Sequence, residues 1–125
     1  MSALPREFRK IRLELAREPA HPQGDNKTGY LITLPLNAEM RIDAAIWKSF
    51  RDNCRVVRMR ADDWDVGHVI HGPGGNWMFR YDISGDQEDE TGFKLQDEKF
   101  VPGEYVSIRE GDLIRTYRVS SVEHV

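Results

Sequence analysis

The sequence predicts a mainly β chain: a small antiparallel barrel, closed or nearly closed, of about seven strands with one short α-helix over residues 43–53. Three observations lead there. Apolar residues recur at period two in segment after segment, the mark of strands with one buried and one wet face. Gly111-Asp112 lies between two such segments as a Gly-first, two-residue turn whose twist suits paired strands. Helical spacing appears in one stretch only, around Ile46 to Cys54.

Taken in order, Ile11, Leu13 and Leu15 alternate with Lys10, Arg12 and Glu14 and mark the first strand. Residues 18–29, with Pro19, Pro22, Gly24, Asp25, Asn26 and Gly29, read as a polar loop of about a dozen residues, a length at which loops are often functional. Tyr30, Ile32 and Leu34 form the next strand, and Pro35 marks its end or an edge. Asp43 suits a helix N-cap, because its carboxylate can accept the unpaired N–H groups of the first turn. Ile46, Trp47, Phe50 and Cys54 then line the apolar side of that helix, with Lys48, Ser49, Arg51 and Asp52 opposite.

From Arg55 to Arg60 alternation returns, Val57 and Met59 on one face and Val56, Arg58 and Arg60 on the other. An acidic turn, a short strand at Val69 and a hairpin loop at Gly72 to Asn76 follow. Trp77, Phe79 and Tyr81 share a face opposite Met78, Arg80 and Asp82. The acidic loop 84–91 leads to Phe93 and Leu95, and Val101-Pro102-Gly103 turns the chain into the final hairpin, where Val106 and Ile108 face Leu113, Tyr117 and Val119.

A chain of 125 residues suits one domain, 1–125, with its own core. Hydrophobic content of 39% with 31% charged residues excludes both a disordered and a membrane-embedded class. A net charge of -3 exerts no global pull on nucleic acid or acidic lipid, but the charge is uneven. Residues 41–60 hold six cations against two acids, and residues 82–99 hold seven acids against two cations. These give two faces of opposite potential, or cancel if they are neighbours. Cys54, the only cysteine, rules out an internal disulfide and a thiolate metal cluster. With neither a signal-like apolar N-terminus nor a membrane-length apolar run, the expected location is cytoplasmic, with no membrane partner.

Several groups suggest chemistry. The Trp77, Phe79, Tyr81 stripe has the period of a base-stacking platform, although three aromatics are also what a small barrel buries, and Arg80 and Asp82 on the other parity favour burial. Arg58 and Arg60 share a face, Arg80 is expected to point outward, and Arg109, Arg115 and Arg118 lie on the last hairpin. Guanidinium groups from adjoining strands would read phosphate or carboxylate, so Arg58, Arg60, Arg80 and Arg109 are the candidate binding residues. The competing reading places such arginines in surface ion pairs. His68 and His71 are three apart, which on a strand sends them to opposite faces and argues against a shared metal. The acidic stretch Asp86 to Glu90 lacks calcium-loop spacing, and Gly72-Pro73-Gly74-Gly75 precedes a strand rather than the helix a phosphate loop needs. His21 and His124 are expected to be exposed. No catalytic residue, metal site or cofactor is expected.

Three segments together carry a resemblance: residues 5–18 (Pro5 to Glu18), Pro73 to Trp77 and Phe100 to Glu110. The chain resembles a family of small, single-domain bacterial proteins without an assigned function, which implies no ligand or catalytic residue. The last segment is also similar to the Gly-acid entry into a strand hairpin in small RNA-binding barrels of the PUA-like kind. The expectation is a small β-barrel binding module that recognises an anionic partner, RNA or an acidic protein surface, through outward-facing arginines. The alternatives are a protein-interaction or structural subunit and a metal-dependent enzyme built around His68, His71, Asp82 and the acidic loop.

Overall fold

A computed structural model describes residues 4–19, 22–72, 76–82, 90–93, 95 and 98–125, residues 90–93 in their backbone only. The expected glycine hairpin at 73–75, most of the acidic loop, the Phe93 side chain and His21 lie outside the described residues. Among the described residues the chain is mainly β, with one α-helix. Its strands are β1 (Phe8–Leu15), β2 (Asp25–Pro35), β3 (Arg55–Met59), β4 (Trp64–His71), β5 (Trp77–Tyr81), β6 (Glu90–Phe93), β7 (Tyr105–Glu110) and β8 (Leu113–His124). Every strand pairs antiparallel with its neighbours in chain order, and β1 also pairs with β8, so the sheet curls back on itself. Among the described residues β5 and β6 are joined at Met78–Thr91 and Phe79–Glu90.

Alternation places the core inside this curl. Ile11, Leu13, Tyr30, Ile32, Leu34, Val56, Val69, Trp77, Phe79, Ile108, Tyr117 and Val119 are all buried. Trp77 and Phe79 are therefore packing residues and Tyr81 is partly buried, which removes the base-stacking platform. Tyr30 meets Phe79 and Tyr117 at ring separations of 5.4 and 5.0 Å, edge-on or tilted as aromatic quadrupoles prefer.

The long loop is shorter than the sequence suggests. β2 already begins at Asp25, where the register between β1 and β2 shifts after Glu14, and Asp25 bonds the Lys27 N–H and the Thr28 hydroxyl. In the final hairpin Glu110 pairs with Leu113, and Gly111 has φ +65°, the left-handed value that a Gly-first hairpin turn requires.

One end of the barrel is covered by α1 (Ala44–Ser49). Asp43 caps it, its carboxylate accepting from Ile46 N at 3.0 Å. The single helix expected over 43–53 is broken: Phe50 leaves helical geometry at φ -131° and ψ 36°, and residues Arg51–Asn53 form a separate 3-10 turn. The reason is packing, since Phe50 turns its ring edge-on to Phe8 at 5.9 Å. Trp47 meanwhile packs against Trp77 at 5.2 Å and donates to the Val69 carbonyl at 2.9 Å, which fixes α1 over the β4–β5 edge. Among the described residues, no helix is long and apolar enough to cross a membrane.

Candidate functional site

Strand parity divides the four candidate arginines. On β3, Val56 points inward, so Arg58 and Arg60 share the inward face at the barrel end opposite α1. They are not outward-facing, a correction to the sequence reading. Arg58 donates from Nη2 and Nε to Asp65 at 2.5 and 3.1 Å and lies 4.4 Å over the Tyr81 ring. Arg60 donates to Glu110 Oε1 at 2.5 Å and lies 5.8 Å from the Tyr30 ring centre. Side-chain exposures of 17% and 28% put both well out of water.

Glu110 is the hub of this end. Besides Arg60 it accepts the Tyr117 hydroxyl at 2.5 Å. Burial, then the hydrogen bond to Glu110 and the charge of that carboxylate, push the Tyr117 phenol well above its ordinary value. Arg115 closes the same region by donating to Glu18 at 2.7 Å. Buried charges matched in this way hold a fold together and offer little to a partner.

Arg80 and Arg109 are exposed on the outer face but do not meet. Thr91 of β6 separates Met78 from Arg109 in the register, so two strand spacings, about 10 Å, part β5 from β7. The four candidates therefore do not converge.

What the fold does assemble lies on the outer face of β4 and β5, beside α1 and the 3-10 turn. There a groove of about 590 Å³ is lined by Arg51, Asp52, His68, Ile70, Met78, Arg80 and Asp82, with Trp47 and His71 at its α1 end. Its volume lies in the range of ligand pockets. Gly67 allows the walls to approach, because a Cβ there would fall 2.2 Å from the Arg80 carbonyl oxygen. In the register His68 pairs with Arg80 and with Arg55, which places their side chains on one outer row.

Along the groove's edge runs a small network. Arg55 donates to Asp82 Oδ2 at 3.2 Å and reaches His68 Nε2 at 3.3 Å, while His68 Nδ1 lies 3.2 Å from Asp82 Oδ1. A guanidinium can only donate, so Nε2 accepts and the ring hydrogen sits on Nδ1, facing the carboxylate. Both ring nitrogens are thereby engaged. His71 stacks on Trp77 at 4.3 Å. Although both histidines line the groove, no group of three His, Cys, Asp or Glu side chains that could hold a metal is present among the described residues. Cys54 is buried, and burial pushes its thiol up to about 12, far from a reactive thiolate.

A larger concavity of about 940 Å³ is lined by residues 14–17 and 23–26 together with Tyr105, Thr116 and Arg118. Its charges face one another: Glu14 accepts from Arg12 at 3.0 Å and lies 4.0 Å from Arg118. Its lining is mostly polar and carries both signs of charge.

Arg51 is the site residue that parity arguments miss, since it reads as the wet side of a helix. It belongs to the cation-rich 41–60 segment, the signal that does point here. Compared with models of protein families, with characterised proteins and with solved structures, the chain shows no match to any of them.

Proposed function

We propose that this chain is a binding module, and that its anionic partner is an acidic protein segment held in the groove between α1, the 3-10 turn and the outer face of β4 and β5. The observation that carries the reading is the lining itself. Cationic Arg51 and Arg80 stand beside the apolar side chains of Ile70 and Met78. A segment that offers a carboxylate next to an apolar residue matches both, and guanidinium groups suit carboxylates by their paired donors.

RNA is the weaker partner. Nucleic-acid affinity comes from many neutralised phosphates, which needs a continuous basic track. Here Arg58 and Arg60, two of the six cations in the basic segment, are spent on Asp65 and Glu110. Trp77 and Phe79, being buried, also cannot stack bases.

The test is an NMR titration of the protein with a hexapeptide bearing adjacent aspartates beside a leucine, run in parallel with an oligouridylate. Shifts centred on Arg51, His68, Ile70 and Arg80 with the peptide are expected. Saturable RNA binding with shifts elsewhere, or no peptide response at low salt, removes the reading.

A further inference from the structure

Resting on the groove as the seat of an acidic segment, we propose that the segment is the Asp62-Asp63-Trp64 turn of a second copy of this chain, with two copies paired by a two-fold axis through the outer faces of β3 and β4. The face has the required pattern. Trp64 is 63% and Val66 40% exposed, the largest apolar exposure on β4. In register, Leu31, Val57 and Val66 form an outer row across three strands. Two residues to one side of that row lies the Met59–Trp64 pair, and two residues to the other side lies Arg55–His68.

Each flank is about 7 Å from the row, given a rise of about 3.3 Å per residue. A two-fold through the row therefore lays the Trp64 flank of one copy on the Arg55 flank of the other, twice over, as an isologous contact demands. The next positions outward also match. Beyond Trp64 come exposed Asp62 and Asp63; beyond Arg55 come the 3-10 turn with Arg51 and the mouth of the groove. Acid meets guanidinium, and an indole face meets a cation. Leu113 and Ile114, exposed on β8, are consecutive and point to opposite faces, so they form no such row.

A barrel's outer face is convex, so contact runs along β3 and β4 and covers less than the roughly 800 Å² per partner of a standard interface. The pairing is correspondingly weak, with a dissociation constant on the order of 100 µM.

Sedimentation equilibrium from about 10 µM to about 1 mM tests it, a range that brackets that constant. The wild type is expected to pass from monomer to dimer, and its emission to shift blue as it does so, because Trp47 and Trp77 are already buried and Trp64 is not. Val66→Arg, at an exposed position, is expected to weaken pairing by about tenfold or more, equivalent to about 1.4 kcal/mol. The pair Asp62→Lys and Asp63→Lys should do the same, and adding Arg51→Glu should recover much of the loss. A wild type that stays monomeric at the highest concentration, or a dimer indifferent to Val66→Arg and to the charge swap, overturns the proposal. Titration of the Val66→Arg protein with the acidic hexapeptide separates the two readings. Peptide binding without wild-type dimers leaves the groove standing and removes the second copy as its occupant; no peptide binding removes both.

Discussion

Replacing Glu110 with alanine should cost this protein about 3 kcal/mol, and the structure says how that figure divides. Glu110 accepts from Arg60 and from Tyr117, each at 2.5 Å, with its own side chain only 13% exposed. A hydrogen bond to a charged group contributes about 1.5–3 kcal/mol, so two give about 3–6. Arg60 is partly exposed and can turn toward water once its partner is gone, which cuts its share by about half. Tyr117 cannot follow, because it is fully buried and its hydroxyl is left without an acceptor. The remainder is about 3 kcal/mol. At about 2.1 cal/mol/K per residue of unfolding entropy, a chain this long loses about 11 °C of melting temperature. Urea unfolding followed by tryptophan emission gives the free energy directly. Tyr117→Phe alone is expected to cost about 2 kcal/mol, and the double variant less than the sum, with a coupling of about 1–2 kcal/mol. A Glu110→Ala loss below about 1 kcal/mol, or strict additivity with Tyr117→Phe, would refute the shared hub.

Alkaline pH should destabilise the fold through Cys54. Its folded value is raised to about 12 from an ordinary 9.0, so stability is intact below pH 9 and falls as pH rises toward 12. By pH 11 the loss is about 3 kcal/mol, and Cys54→Ala should flatten that part of the profile, leaving a later slope from Tyr117. Gly67→Ala should push β5 from β4, costing about 1–3 kcal/mol and widening the groove, which unfolding and His68 ring shifts would report. Asp43→Ala removes the cap on α1 and should cost about 1 kcal/mol in the same unfolding assay.

Much of the β architecture was legible because alternation is a local signal. Trp77 and Phe79 could be sorted from Arg80 by position parity, and the Gly111 turn fixed the last hairpin. The curl of the sheet is less local: it rests on β1 meeting β8, at opposite ends of the sequence. Parity gives two faces without naming the inner one where charges alternate with short aliphatics. Val56 against Val57 is such a tie, and it put Arg58 and Arg60 on the wrong side. Their partners Asp65 and Glu110 are distant enough in the chain that only the register reveals them. The helix break at Phe50 was hidden for a similar reason, since the ring's target, Phe8, sits at the other end of the sequence. The groove itself joins residues from the 3-10 turn, β4 and β5, and its best signal was the cation excess over 41–60 rather than any motif.

The division of labour among the arginines is open to one paired measurement. Charge reversals Arg51→Glu and Arg80→Glu, and neutralisations Arg58→Met and Arg60→Met, would each be assayed for hexapeptide affinity and for urea midpoint. The expected result is that the outer pair lose affinity about tenfold and lower the midpoint less than the inner pair, which bind as before. Inner variants that abolish binding at unchanged stability, with outer variants that bind normally, would contradict it.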